Sequence, residues 1–113
     1  MKPLLVFTNV PDAATAERIA RALIEQRAAA CVNILAQCRS IYRWQGAVAA
    51  ADEMPMLIKT TADAYPLVEQ ILRECHPYDV PEIIAVPIEQ GLPEYLSWAV
   101  SYTHLTLPTT PYV

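Results

Sequence analysis

Short runs of period two alternate along this chain with longer stretches of period 3.6, and the switches between them mark its elements. Leu4 to Asn9 is apolar, β-branched and aromatic, and Val10-Pro11-Asp12 closes it as a strand. Asp12 is a helix N-cap, since its carboxylate accepts from the free amides of a first turn. Ala16, Ile19, Ala20, Leu23 and Ala28 follow at helical spacing, which predicts a helix over Ala13 to Ala30 with Glu17 and Arg21 paired on its wet face. From Cys31 to Tyr42 the period drops to two: Val32, Ile34, Ala36, Cys38, Ser40 and Tyr42 share one face, with Asn33, Gln37 and Arg39 on the other. A strand of that length calls for a bulge or bend partway. Trp44-Gln45-Gly46 is a turn, Ala47 to Asp52 an alanine-rich connection, and Glu53 to Thr61 a strand pairing back as a long hairpin.

Ala62-Asp63 opens a second helix that tolerates Pro66 in its first turn and buries Leu67, Val68, Ile71, Leu72 and Cys75. His76 precedes a proline, and clash with the ring drives such a residue out of the helical region, so the helix stops at Cys75. Glu82 to Ile88 is the fourth strand, which Pro87 confines to an edge or an early stop. Gly91-Leu92-Pro93 then turns the chain into a short helix, Glu94 to Val100. The order β-α-β-β-α-β describes two split βαβ units with right-handed crossovers. The expected architecture is therefore α+β: a ferredoxin-like sandwich with a four-stranded antiparallel sheet, both helices on one face, and a short C-terminal helix.

Composition sharpens this picture. At 113 residues the chain makes one domain, expected over residues 1–100. Its 54% apolar and 18% charged residues exceed and fall below the usual shares of about 45–50% and about 25%. The helix-free sheet face is apolar too, so the excess is expected to lie in a subunit interface. A net charge of −4 opposes nucleic-acid binding, which calls for a basic face. No run approaches the roughly 18 apolar residues of a membrane span, and the start is too short for a secretory signal. Cys31, Cys38 and Cys75 are odd in number and irregular in spacing, which describes no disulfide framework and fits a reduced, cytoplasmic protein.

The chemistry gathers in Cys75-His76-Pro77-Tyr78-Asp79-Val80-Pro81-Glu82. A thiol and an imidazole at a helix C-terminus, where the dipole favours a cation, suit copper or zinc. The same pair also reads as a buried cysteine ending an apolar stripe beside a satisfied histidine. As a nucleophile Cys75 is badly placed, because the negative end of a helix disfavours the thiolate. Only two glycines are present, and neither builds an oxyanion hole or phosphate cradle, so no catalytic residue is assigned. Tyr42, Trp44, Lys59, Tyr78 and Glu82 fall near strand ends and read as interface packing or as an intersubunit ligand cleft, with Lys59 and Glu82 its charged groups. Asp79 and Glu82 as paired acids are a weak signal.

Taken in order, Thr8-Asn9-Val10-Pro11-Asp12, Ala30-Cys31-Val32-Asn33-Ile34, Ser40-Ile41-Tyr42-Arg43-Trp44-Gln45-Gly46, Leu57-Ile58-Lys59-Thr60-Thr61, His76-Pro77-Tyr78-Asp79-Val80-Pro81-Glu82-Ile83 and Tyr95-Leu96-Ser97-Trp98 resemble the divalent-cation tolerance (CutA) family. The resemblance runs to about residue 100. It implies a ferredoxin-like subunit in a homotrimer similar to the PII signalling proteins, and a non-enzymatic role in tolerance of divalent metal ions, copper foremost. The family's copper ligands fall on Thr8, Cys75 and His76, and Thr8 stands where a cysteine is used, leaving Cys75 and His76 as metal residues. The alternative reading is a PII-like small-molecule sensor or signalling scaffold holding an anionic ligand between subunits, with a protein partner whose identity is open. Residues 101–113, rich in proline and threonine, depart from the family and read as a cloning or frame-shift scar.

Overall fold

The computed structural model describes residues 2–103. Strand β1 (Pro3–Val10) leads into α1 (Ala13–Glu25), then β2 (Cys31–Ile34), β3 (Cys38–Trp44), β4 (Ala47–Thr61), α2 (Tyr65–Cys75), β5 (Ile84–Pro87) and α3 (Pro93–Ser101). All pairings are antiparallel, in the order β2-β4-β1-β5, with β3 paired to the far half of β4. The ferredoxin-like order holds, but among the described residues the sheet has five strands, not four.

Three local causes separate the elements from their expected bounds. First, α1 ends at Glu25, five residues early. Asp12 caps its start by accepting from the Thr15 amide at 2.8 Å. At its end Arg27 takes φ +60, the Ala28 amide reaches the Leu23 carbonyl and the Arg27 amide the Ile24 carbonyl. That is a Schellman closure made without the usual glycine, which is why the apolar stripe conceals it. Ala28 is still fully buried, beyond the helix.

Second, the long alternating stretch splits where a bend was expected. Ile34 faces Met56 and Cys38 faces Glu53, so Leu35, Ala36 and Gln37 stand against Met54 and Pro55 alone. The extra residue makes a bulge, and Pro55, which has no amide to donate, sits opposite it. Third, Ala47 to Asp52 is no connection but the first part of β4, paired residue by residue with β3. Gln45 and Gly46 both take positive φ (+50 and +80), the two-residue turn whose twist matches a hairpin.

Pairing sets the faces. Val6, Ile58 and Val32 lie across from one another, as do Thr8, Met56 and Ile34, and this face meets α1 and α2. The core is Val6, Val10, Met56 and Ile58 from the strands against Ala16, Ile19, Leu23, Val68, Ile71 and Leu72 from the helices. Thr60 secures the chain after α1, its hydroxyl donating to the Ala28 carbonyl at 2.6 Å. Among the described residues β5 pairs only with β1 and is an edge, as Pro87 predicts, with Ile84 and Val86 exposed. α3 rests on β4 and β1 through buried Ala99. Of the unusual C-terminal stretch, Ser101 ends α3 and Thr103 is buried, donating to the Ala99 carbonyl; the rest, 104–113, lies outside the described residues.

Candidate functional site

Two sites meet at the end of α2. His76 leaves the helix with φ −80 and ψ 133, as its proline neighbour demands, while its amide still reaches the Leu72 carbonyl. Its ring is buried. Nε2–H donates to the Asn9 carbonyl at 2.7 Å, and Nδ1 accepts from the Tyr78 amide at 3.3 Å. The two partners select the neutral Nε2–H tautomer. The Tyr78 ring lies 4.7 Å from the imidazole, centroid to centroid. His76 thus ties three segments together: the end of β1, the end of α2 and the loop that follows.

Cys75 is half-buried, its thiol free, against the core. Among the described residues no three His, Cys, Asp or Glu side chains converge as metal donors, so Cys75 and His76 stand as a pair without a third. Thr8 is fully buried in β1, and its hydroxyl has no hydrogen-bond partner among the described residues. An unpartnered buried hydroxyl costs about 1–3 kcal/mol. Thr8→Val, of similar shape, is therefore expected to raise stability by about 1 kcal/mol, measured as a higher denaturation midpoint at unchanged slope.

Beside this corner a groove of about 530 Å³ runs between the β3–β4 hairpin and the loop at 78–82. Tyr42, Trp44, Ile41 and Ser40 of β3 form one wall, Tyr78, Asp79, Val80 and Glu82 the other, and Asn9 and Glu53 lie between. Two hydrogen bonds brace it: the Tyr78 hydroxyl donates to Glu53 at 3.0 Å, and the Asn9 side-chain amide donates to Glu82 at 3.1 Å. Within one chain the groove gathers Tyr42, Trp44, Tyr78 and Glu82, four of the five residues read as interface packing or an intersubunit cleft. In the same chain Lys59 lies elsewhere. It stands six residues beyond Glu53 on the same strand, about 20 Å away at strand rise, and its ammonium donates to Asn33 on the open sheet face.

Glu53 is the residue the sequence conceals. Next to Asp52, at the foot of an apolar run, it reads as a solvated acid, whereas Tyr78, 25 residues on, buries it. Parity in the strand offered no signal, since Lys59 shares it.

Burial first, and then the bond to the Glu53 carboxylate, push the Tyr78 phenol from 10.0 up to about 12. An acid with a raised folded-state pKa contributes stability that is complete below its unfolded value and is lost as pH rises through the folded one. The stability difference between the wild-type protein and Tyr78→Phe is expected to hold up to pH 10 and to shrink from there towards 12. Denaturation midpoints at stepped alkaline pH check this, and a constant difference across that window contradicts it.

The sequence profile of the CutA1 divalent ion tolerance proteins matches residues 4–102. The divalent-cation tolerance protein CutA of Thermus thermophilus is 49% identical over 94 residues, covering 83% of this chain and 91% of that protein. Mouse protein CutA is 44% identical over 97 residues, 86% of this chain, which spans only 55% of the mouse protein's length. Among solved structures, the Thermus thermophilus divalent cation tolerance protein superposes with a TM-score of 0.89 at 46% identity, covering 90% of this chain and 99% of that one.

Proposed function

The chain belongs to the CutA1 divalent ion tolerance family, and from that membership we propose that it is a non-enzymatic homotrimer of the cytoplasm that binds divalent metal ions, copper foremost. The family match over nearly the whole described chain carries the reading, and divalent-cation tolerance is the function that the family's name states. Three free cysteines fit a reducing compartment.

The Cys75–His76 corner supplies a soft thiol and an imidazole, the donor types copper takes. In one chain the fit is incomplete: both His76 nitrogens are engaged, and no third donor converges among the described residues. Of the two bonds, the one from Tyr78 to Nδ1 is the longer at 3.3 Å, so Nδ1 is the nitrogen an ion can claim. The remaining donors must come from a neighbouring subunit.

Exposed apolar residues support the trimer. Ile41 and Val48 on the hairpin are each 71% exposed in the single chain, and Ile84 on the β5 edge is 54% exposed. Val48→Asp is expected to shift the protein towards monomer in sedimentation velocity at micromolar concentration; an unmoved trimer would take the hairpin out of the interface.

Isothermal titration of copper(I) and copper(II) into the reduced protein, with zinc for comparison and native mass spectrometry for stoichiometry, tests the metal reading. It expects saturable submicromolar binding at one ion per subunit, abolished by Cys75→Ala or His76→Ala. Weak binding indifferent to both substitutions overturns it.

A further inference from the structure

We propose that the loop at 77–82 is a latch on the metal corner: the Tyr78 amide occupies the lone pair of His76 Nδ1, and an ion binds there only by displacing the loop. The inference rests on the metal reading above and names what regulates that site. Nε2–H of His76 donates to the Asn9 carbonyl at 2.7 Å. Metal-bound imidazoles are commonly held in this way, by an acceptor on the nitrogen that does not bind the ion. The buried ring is therefore oriented with Nδ1 as its ligand nitrogen before any ion arrives.

Nδ1 has one lone pair in the ring plane, and it serves one partner at a time. With the loop closed it accepts from the Tyr78 amide at 3.3 Å. A metal–imidazole bond of about 2.0 Å uses the same lone pair and leaves that amide without its acceptor. Pro77 has no N–H, so Tyr78 carries the first amide after His76. Its ring also packs on the imidazole, centroids 4.7 Å apart. Displacing the amide therefore means moving the whole residue.

Two tethers hold the loop shut. The Tyr78 hydroxyl donates to Glu53 at 3.0 Å, and the Asn9 side-chain amide donates to Glu82 at 3.1 Å. Both acceptors are carboxylates, which make the stronger class of hydrogen bond. Glu53 is 9% exposed even in the single chain, so opening leaves a buried charge without this partner, which is unfavourable. Asn9 acts on both sides of the latch: its carbonyl fixes the imidazole, and its side chain fixes the loop. The closed loop is the resting state, and the affinity for an ion is set by bonds that the ion never touches.

The test titrates copper(I) into the intact, reduced protein and into Tyr78→Phe and Asn9→Ala, with amide exchange followed by NMR. Copper(I) is diamagnetic, so the Tyr78 amide stays observable. Tyr78→Phe keeps the amide and the ring and loses the bond to Glu53; Asn9→Ala keeps the carbonyl that holds His76 and loses the bond to Glu82. Each substitution should tighten copper binding about fivefold or more, and copper loading of the wild-type protein should release the Tyr78 amide to exchange. Ile19→Val, in the core beneath α1, lowers stability without touching the loop and should leave copper affinity unchanged. Either tether variant alone carries the test if circular dichroism shows that the other is unfolded. Saturable binding that His76→Ala abolishes, with the Tyr78 amide still protected and wild-type affinity in the tether variants, overturns the latch and leaves the metal reading standing. No saturable binding by the wild-type protein or either tether variant overturns both.

Discussion

Ile58→Ala is expected to destabilise the protein by about 2–5 kcal/mol. Ile58 lies in the last part of β4, which is paired on both edges, with Val6 opposite on one side and Val32 on the other, and has no exposed surface. Truncation removes apolar surface from the centre of the core and leaves a cavity that a paired strand cannot close, because its backbone is held on both edges. Against a total stability of about 5–15 kcal/mol for an ordinary domain, that is a large fraction. The melting temperature should fall by about 10 °C or more. Urea denaturation at fixed protein concentration is the check, with concentration held constant because assembly contributes to apparent stability. A loss below about 1 kcal/mol would mean that the sheet relaxes into the vacated space.

Second in size is His76→Ala, at about 2–4 kcal/mol. The ring is buried, and its loss strands two backbone groups: the Asn9 carbonyl and the Tyr78 amide. It also frees the loop that carries Tyr78 and Glu82, so the groove should loosen while the helix core survives. Hydrogen exchange should therefore show protection lost at the Tyr78 amide ahead of α2. His76→Gln, whose amide can still donate to the Asn9 carbonyl, should recover part of the stability. Equal exchange across both segments would show that the corner and the core unfold together, with His76 no more than a packing group.

This corner was readable before the structure because its causes are local. Pro77 ends α2, and the end places His76. The aromatic groove was half readable. Tyr42 and Trp44 precede a turn and Tyr78 follows a helix stop, so their position near strand ends followed from sequence. Of the charges that join them, Glu82 was read from sequence and Glu53 was not. Glu53 and Lys59 share a strand and a parity, and only the hydrogen bond from Tyr78 draws Glu53 into the groove, while Asn33 draws Lys59 out.

The same division runs through the fold. Amphipathic stripes, the Asp12 cap, the turn at Gln45-Gly46 and the edge character imposed by Pro87 each depend on a few neighbouring residues, and the chain alone determined them, along with the order of elements and the family. The tertiary structure decided the rest. Ala47 to Asp52 carries too few large side chains to show a period, and it became strand because the hairpin turn set its register against β3. α1 stopped at Glu25 because Arg27 accepted a left-handed conformation that propensity disfavours, letting Ala28 bury beyond the helix. In each case pairing between distant segments outweighed a local preference of about 1 kcal/mol, and contacts of that kind exist only once the chain has closed.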